Sequence, residues 1–499
     1  MERRKSPSIL SGASPIRVWG TTTMNNGKLL LQKVYTVSKK HGAPRLWLQH
    51  IVCETAGFTP GEDLFVRVDE TNKEIIIQNK TFEKSEHVHE VSVSSRANRI
   101  SGVQRPLVDT CGTRYSSILC VQEKIEINVY RHRDYSQVVV RPLRYRLFGS
   151  DTFEPPADER IRLLTVCSGA GIGGSMFVNT KGYTAVQEIE MEEDCAEVIK
   201  HNFPYSYLFN GDLRDCHTVA NADVAFISLD CSEHSSLGDG GQGYFNNLVL
   251  GTYKILEAAN PRVIFSENVP AFYESTAYQD LKELLTPAFP YLIGPIQIDS
   301  FDFGSIAHRT RSYTVFFRDE EDFDQFRVPK PPVFRRFKLK DYLDPKGTEH
   351  VWKSVEAWWD SFSKKKEKNN SWANRSTVKT FVDPETCTEL QCIPARYRSQ
   401  SASNSYVLSE VGSKWRFLTI SELRRIFNIP SWFSFPSHIP VYRIYEMIGQ
   451  SVCGKVITAF ANEICSMFFR RHVKVEGGKK NQNSVGMDRD QTGQIGFVF

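Results

Sequence analysis

The chain has 499 residues, of which 40% are apolar and 24% are charged, and its formal net charge is +4. This length predicts more than one domain, and the composition is typical of globular proteins rather than of fibrous or disordered ones. No apolar run approaches the roughly 20 residues of a membrane-spanning helix, and no signal-peptide stretch follows the first residues. We therefore expect no membrane partner.

The positive charge is concentrated in two segments. Residues 1–50 carry nine Lys and Arg against one acid, and residues 328–425 carry nineteen against eleven, so each segment has a net charge of +8. Basic surfaces attract phosphate backbones, which makes nucleic acid one expected partner, with solvated helix faces as the alternative. The 11 scattered cysteines indicate a reducing compartment. Cys387 and Cys392 lack a second ligand pair for zinc, so no metal site is predicted.

The N-terminal part of the chain reads as β-structure. Residues 1–27 are predicted to be a flexible basic arm, and residues 28–155 a β-rich accessory domain. Two stretches predict tandem hairpins: Glu62–Val68 with Glu74–Gln78, and Glu123–Val129 with Gln137–Arg141. The preceding Ala56–Gly61 resembles the helix-to-turn signature of swapped-hairpin DNA-binding modules and SymE-like toxins. An accessory domain without that role is the alternative.

From Ile161 the pattern changes to βαβ alternation, which predicts an α/β unit over residues 156–328. A strand leads into the glycine-rich turn Ser168–Gly171, where the backbone can approach a nucleoside-type cofactor closely. Glu190 follows at the spacing at which an acid meets ribose hydroxyls, and Asp212 could accept from an adenine amine. No phosphate-binding GxxxxGK[ST] loop is present. The pattern favours an adenosyl cofactor without a long phosphate chain.

Two apolar runs in this unit end on reactive side chains. Residues 223–231 end on Cys231 and residues 262–269 contain Glu267, and both runs predict buried parallel strands joined by a helix. A thiol and a carboxylate at one sheet edge suit addition of sulfur to an electron-poor ring while the acid hydrogen-bonds a ring nitrogen. Arg309 and Arg311 lie two apart on a later predicted strand, so we expect both to enter the same site.

The remaining segments complete the predicted organisation. Residues 329–414 form a basic, aromatic, irregular insert, and residues 415–472 form amphipathic helices that return to the core. Residues 473–499 are predicted to be a disordered tail.

Taken in order, these motifs resemble the cytosine-5 DNA methyltransferase family over Leu163 to Ile464. Ser168–Gly171 is similar to its S-adenosylmethionine loop, and Cys231 falls at its catalytic cysteine. Further matches are the ENV motif Glu267–Val269, a QxRxR-type motif at His308–Arg311 with Ala307 in place of glutamine, the penultimate motif Arg416–Arg425, and the closing segment Ile448–Val452. Two positions differ from the family: Asp230 replaces proline, and Gln450 replaces asparagine.

The resemblance implies a Rossmann-like, S-adenosylmethionine-dependent methyltransferase core with a mixed, mostly parallel sheet, a β-rich N-terminal domain and a small target-recognition insert. It implies that Cys231 attacks carbon 6 of a flipped cytosine and that Glu267 hydrogen-bonds nitrogen 3. Arg309 would hold the carbonyl oxygen and Arg311 would brace the site. The expected cofactor contacts are Cys167, Ser168, Gly169, Ala170, Gly171, Glu190, Met191, Asp212, Leu213, Gln450, Ser451 and Val452.

The expected partner is double-stranded DNA, with residues 329–414 reading the sequence and Ser232–Asn246 closing over the base. A nuclease or regulator could bind through the N-terminal domain, and the oligomeric state is left open. We expect a cytoplasmic protein of prokaryotic or phage origin, in a restriction–modification setting, or a nuclear one in a eukaryote. Two alternatives remain: an RNA cytosine-5 methyltransferase, and a DNA-binding relic impaired by Asp230, whose carboxylate would oppose ionisation of the neighbouring thiol.

Overall fold

The computed structural model describes most of the chain between residue 27 and residue 476. Asp230, Cys231 and the loop that follows lie outside the described residues, as do the predicted basic arm up to residue 26 and parts of the predicted tail. The described ranges are 27–82, 88–97, 102–143, 151–155, 158–229, 244–345, 348–367, 377–476, 486–489 and 495–498.

The N-terminal half is β-rich, as its alternating pattern predicted. Its elements are β1 Lys28–Thr36, β2 Ser38–Lys40, β3 Ala43–Leu48, α1 His50–Ala56, β4 Asp63–Asp69, β5 Glu74–Gln78, β6 Val88–Ser92, β7 Ser94–Ala97, β8 Gln104–Cys111, β9 Lys124–Arg131 and β10 Ser136–Pro142.

The α/β half follows and alternates strands with helices. Its elements are β11 Asp151–Phe153, β12 Ile161–Val166, α2 Ile172–Asn179, β13 Tyr183–Glu190, α3 Glu193–Asn202, β14 Tyr207–Asn210, β15 Thr218–Ala220, β16 Val224–Ile227, α4 Tyr244–Ala259, β17 Val263–Asn268, α5 Thr276–Leu285, β18 Tyr291–Asp299, β19 Thr310–Phe317 and α6 Glu320–Gln325.

The insert and the C-terminal helices come last. Their elements are β20 Lys353–Ser354, α7 Val355–Glu367, β21 Phe381–Val382, β22 Tyr406–Leu408, β23 Lys414–Arg416, α8 Ile420–Ile426, α9 Val441–Gln450, α10 Gly454–Glu476, β24 Gly486–Arg489 and β25 Ile495–Val498. β24 and β25 pair antiparallel, and α10 extends to Glu476, so the segment predicted to be disordered contains regular structure. The apolar Ile495–Val498 provides the strand that the polar composition of the tail obscured.

A single thirteen-stranded sheet runs through both halves, in the order β18-β19-β17-β16-β12-β13-β14-β1-β9-β10-β5-β4-β6. Neighbours from β17 to β14 are parallel, and β19 and β18 close one edge in antiparallel orientation. The predicted mixed, mostly parallel core is therefore confirmed. β1 pairs in parallel with β14, so the N-terminal half is joined to the α/β half by sheet hydrogen bonds across the boundary expected near residue 155.

Both predicted hairpins are present in the N-terminal half. β4 pairs antiparallel with β5, and β9 with β10. The two copies also contact each other through equivalent strands, because β5 pairs with β10 and β3 with β8. Helix α1 ends at Ala56, and the following Gly57 is a left-handed C-cap with a φ of 75°, so a turn follows a helix at Ala56–Gly61.

Side chains reinforce the junction between the halves. Lys200 donates from Nζ to the carbonyl of Leu30 at 2.9 Å. Glu197 on α3 accepts from Arg105 Nη1 at 3.0 Å and contacts His50 and His438. Burial alone would raise the pKa of Glu197, but hydrogen bonds to both histidines, together with the charges of His50 and Arg105, lower it well below its usual range.

Apolar side chains are buried on both faces of the sheet, because successive residues along a strand point to opposite faces. Phe226 packs with Phe177 and Phe265 on one face, and Ile227 belongs to a second apolar cluster with Leu256 on the other. No single described helix is long and apolar enough to cross a membrane. Helix α9 with residues 454–470 of α10 reaches that length and composition only as a pair bent by 53°.

Candidate active site

A cavity of about 410 Å³ lies where β12, β13, β14 and β16 end, the edge at which α/β sheets bind ligands. Every predicted cofactor contact lines this cavity except Gly171. The lining residues that the sequence analysis also named are Cys167, Ser168, Gly169, Ala170, Glu190, Met191, Asp212, Leu213, Gln450, Ser451 and Val452.

Gly171 has a different role from the one predicted. It is the N-cap of α2, with a φ of 80°, a backbone conformation that residues with a side chain rarely adopt. A Cβ at this position would lie 2.9 Å from the ring of Phe203 and 3.2 Å from Ile199. Gly171 is therefore required for close packing of the turn against α3, and it does not line the cavity.

Glu190 is fixed at the end of β13 by backbone donors. Its Oε2 accepts from the amide of Gly169 at 2.7 Å, and its Oε1 accepts from the amide of Glu192 at 2.7 Å. Burial raises the pKa of Glu190 to about 7, although these hydrogen bonds oppose the shift. Its carboxyl group thus ties the glycine turn to the tip of β13 while facing the cavity.

Asp212 caps the short turn after β14. Its carboxylate accepts from the amide of Arg214 at 3.0 Å and from the Arg214 guanidinium. The hydrogen bond from the Arg214 side chain is the largest cause of the lowered pKa of Asp212. An ionised acid therefore lines the cavity at the place expected for contact with an adenine amine.

Helix α9 supplies part of the cavity wall that was not predicted from the sequence. Arg443 and Met447 line the cavity together with Gln450. Arg443 donates to Asp194 at 2.9 Å and to Glu192 at 3.0 Å. Positions i, i+4 and i+7 share one helix face, so the helical period before Gln450 was a signal that could have identified both residues.

The carboxylate of Glu267 is held between two donors at the end of β17. Ser228 Oγ donates to its Oε2 at 2.8 Å, and Arg311 Nε lies 3.1 Å from its Oε1. Glu267 is only 4% exposed. Ser228, which the sequence analysis did not name, also lines the cavity, so the Glu267 carboxylate is separated from that cavity by one side chain.

Asn268 fixes the backbone that leads to the predicted nucleophile. Its Nδ2 donates to the carbonyl of Leu229 at 3.0 Å, and the Asn268 side chain is buried. Strands β16 and β17 pair in parallel, as predicted, with Ile227 opposite Ser266. The described chain stops at Leu229, two residues before Cys231.

Among the described residues the two arginines contact different groups, and the expectation that both enter one site stays a prediction. Arg311 lies on β19 and pairs with Glu267, whereas Arg309 precedes that strand, which begins at Thr310. The Arg309 guanidinium contacts the carbonyl of Ile393 at 3.4 Å and lies 5.6 Å from the ring centre of Phe427.

The neighbouring His308 joins the α/β half to the insert. Its Nδ1 lies 2.8 Å from Asp299, and its Nε2 lies 2.7 Å from Glu389 of the insert. Burial opposes protonation, but the hydrogen bonds to both carboxylates raise the pKa of His308. In the penultimate motif, Arg416 and Glu422 form a buried pair at 2.8 Å, and Glu422 also accepts from the backbone amide of Asp344 in the insert at 2.9 Å.

Comparison with known proteins agrees with this geometry. Residues 161–466 match the family described as C-5 cytosine-specific DNA methylase. The type II methyltransferase M.HhaI of Haemophilus parahaemolyticus is 25% identical over 190 residues, which are 36% of this chain and 57% of that protein. The chain thus spans less than two thirds of that relative.

The fold is shared with a solved methyltransferase. EhMeth of Entamoeba histolytica has a TM-score of 0.51 at 18% identity, covering 62% of this chain and 99% of that chain. The Dnmt2 methyltransferase of S. pombe has a TM-score of 0.47 at 16% identity, with the same coverage of both chains. Methyltransferases of the C-5 cytosine family use S-adenosylmethionine as the methyl donor. Because the matched region exceeds half of its length, this chain belongs to the C-5 cytosine-specific DNA methylase family.

Proposed function

We propose that this protein is a DNA (cytosine-5) methyltransferase acting on a cytosine flipped out of double-stranded DNA. The observation that carries the proposal is the buried carboxylate of Glu267, held by Ser228 and Arg311 beside the cavity. A fixed carboxylate of this kind can hydrogen-bond one edge of a pyrimidine that a duplex would otherwise hide.

The cavity fits S-adenosylmethionine, which supplies an electrophilic methyl group on a positively charged sulfur. Glu190, Glu192 and Asp212 give the described lining an acidic character, and its basic member Arg443 is already paired with acids. Acidic groups suit a cationic nucleoside better than a polyphosphate. The residues that would hold the cofactor are Cys167, Ser168, Gly169, Ala170, Glu190, Met191, Asp212, Leu213, Gln450, Ser451 and Val452.

In this mechanism the chain's own groups act on opposite edges of the base. The thiolate of Cys231 forms a bond to carbon 6 as the carbon 5–carbon 6 double bond opens, and the carboxyl group of Glu267, when it carries a proton, donates a hydrogen bond or that proton to nitrogen 3 as electron density moves into the ring. Arg311 keeps the Glu267 carboxyl oriented and takes the role at the base that was first expected of Arg309. Asn268 holds the carbonyl of Leu229 and thereby directs the chain toward Cys231.

We assign residues 329–414 to target recognition. Arg309 and His308 contact residues of this insert and thereby hold it beside the candidate active site. Double-stranded DNA is the proposed partner, and the protein would act in the cytoplasm of a prokaryote or phage-infected cell, or in a eukaryotic nucleus. A restriction–modification setting is proposed by analogy with the type II relative.

Trapping on DNA that contains 5-fluorocytosine tests the proposal, because fluorine at carbon 5 blocks release of the enzyme. Incubation of the wild-type protein with S-adenosylmethionine should give a covalent complex on a denaturing gel. C231A should abolish this complex, and C120A, which changes an exposed cysteine, should leave it intact. A complex that persists in C231A would refute the assignment of the nucleophile.

A comparison of acceptors tests the substrate. Labelled S-adenosylmethionine should transfer its methyl group to duplex DNA, and transfer to RNA alone would contradict the proposal. D230P should retain or increase activity if the Asp230 carboxylate only opposes thiolate formation. If neither the wild-type protein nor D230P transfers a methyl group to DNA or RNA, the protein is instead a DNA-binding relic of a methyltransferase.

A further inference from the structure

The N-terminal half buries a lysine at the same sheet edge as the cavity. Lys33 on β1 pairs in register with Asn210, the last residue of β14, and Lys33 is only 6% exposed. Burial lowers the pKa of this amine, and the nearby carboxylate of Glu193, 3.8 Å away, opposes the shift. A buried cation costs free energy unless its partners compensate, so this lysine needs a structural or functional reason.

The partner of Lys33 is an amide that also faces the cavity wall. Lys33 Nζ donates to Asn210 Oδ1. On its other side, Asn210 Nδ2 donates to the carbonyl of Glu190 at 3.0 Å and to the carbonyl of Met191 at 3.1 Å. Asn210 is 1% exposed, so this chain of hydrogen bonds is shielded from solvent.

The charge of Lys33 determines which way the Asn210 amide points. An ammonium group can only donate hydrogen bonds, so it requires the amide oxygen. The amide NH2 is then directed toward the two carbonyls, which can only accept. The opposite orientation would place donors against the cation and an oxygen against both carbonyls. Lys33 thus favours the one orientation that satisfies every group.

The carbonyls held in this way belong to the turn that presents Glu190 and Met191 to the cavity. The Glu190 carboxylate bridges this turn to Gly169 of the glycine turn at 2.7 Å. A shift of the backbone at residues 190–191 would therefore move two sides of the cavity together. Lys33 itself does not line the cavity, so its influence passes through Asn210.

We propose that Lys33 is a positioning residue for the nucleoside part of the cofactor, acting from the N-terminal half through Asn210 on the 190–191 turn. This inference rests on the proposed function, because it takes the cavity as the site of S-adenosylmethionine. It gives the N-terminal half a defined task in cofactor binding.

The test measures binding of S-adenosylhomocysteine to the full chain by calorimetry, which does not depend on methyl transfer. K33M should weaken binding roughly tenfold, a difference of about 1.4 kcal/mol. K39M makes the same change on exposed β2 and should bind as wild type does. K33R retains a cationic donor and should stay within about threefold of wild type.

N210D separates positioning from simple charge pairing. It keeps an acceptor for Lys33 but removes the side-chain donor to both carbonyls, although the Glu190 carbonyl retains the backbone amide of Gly211 at 3.1 Å. The turn is then less firmly held at Met191, so binding should also weaken roughly tenfold. In methyl transfer, K33M should raise the KM for the cofactor while kcat stays within about twofold.

Wild-type affinity in both K33M and N210D would overturn the inference while leaving the proposed function intact. Absence of binding in the wild-type protein would instead overturn the proposed function. If K33M does not fold, the test of the positioning role uses N210D and K33R instead. Wild-type affinity of N210D for S-adenosylhomocysteine would then refute that role.

Discussion

Two regions of the thirteen-stranded sheet use buried polar side chains in different ways. In the α/β half, Glu190 and Glu267 are at the carboxyl ends of parallel strands, facing or adjoining the cavity. In the N-terminal half, Gln32 is in the middle of β1 and donates to Glu126 at 3.0 Å and to Asn128 at 2.8 Å on β9. The first arrangement leaves polar groups near a ligand site, and the second pairs them across the ladder.

This contrast indicates that the two regions of the sheet have different roles. Parallel strands that end at a common edge can gather reactive side chains from distant parts of the chain. Polar pairs inside antiparallel strands instead favour a single register, because a shift would leave buried groups without partners. The pairing of β1 with β14 joins the N-terminal half of the sheet to the α/β half.

Deletion of residues 1–150 is the most severe test of this division. It removes β1, so β14 becomes an edge strand whose buried Leu208 and Phe209 lose their neighbours. We expect the remaining chain to aggregate or to lose cooperative thermal unfolding, measured by gel filtration and circular dichroism.

Deletion of residues 1–26 is the matched control for this experiment, because it leaves β1 complete from Lys28. This shorter deletion should unfold as the full chain does. A soluble fragment of residues 151–499 with wild-type unfolding would show that the halves are independent.

Replacing each of the two arginines in turn tests which of them supports Glu267 in the α/β half. R311K removes the Nε donor 3.1 Å from Glu267 and should lower kcat roughly a hundredfold, as loss of one preorganised donor typically does. R309K, matched in chemistry, should lower kcat less than about fivefold, because Arg309 faces Ile393 and Phe427. Steady-state methylation of DNA measures both, and a larger loss in R309K would reverse the proposed roles.

A pH-dependent effect concerns Glu188, which is fully buried on β13 beside Thr165. Burial raises the pKa of Glu188 to about 8, so the folded chain keeps a proton that the unfolded chain releases above about 4.5. Stability should therefore decrease as the pH rises from about 5 to 8, by at most roughly 1.4 kcal/mol per pH unit for this group.

E188Q removes this group's titration and should reduce that slope in urea unfolding followed across the pH range, leaving the part that the raised pKa of Glu190 contributes. E274Q changes an exposed glutamate and should leave the slope of the wild-type protein unchanged. An equal slope in wild type and E188Q would contradict a protonated Glu188.

Local sequence pattern was sufficient to predict much of the fold and most of the residues that line the cavity. Alternating residues predicted both hairpins, and apolar runs predicted the adjacent strands β16 and β17. The order of motifs predicted the wall from Cys167 to Ala170 and the contribution of Gln450. These features depend on neighbours in sequence or on strands linked by one crossover, so their periodicity is visible in the chain itself.

The family and the adjacent strands β16 and β17 could be predicted from the amino-acid sequence alone. Three pairings became known only from the folded chain: β1 continues the sheet beyond β14, Lys33 hydrogen-bonds Asn210, which is 177 residues away, and Arg311 rather than Arg309 pairs with Glu267. Such pairings depend on which strand edges meet and where a strand begins. Neither property is fixed by local propensity, because a shift of one residue reverses the side-chain direction without changing the pattern.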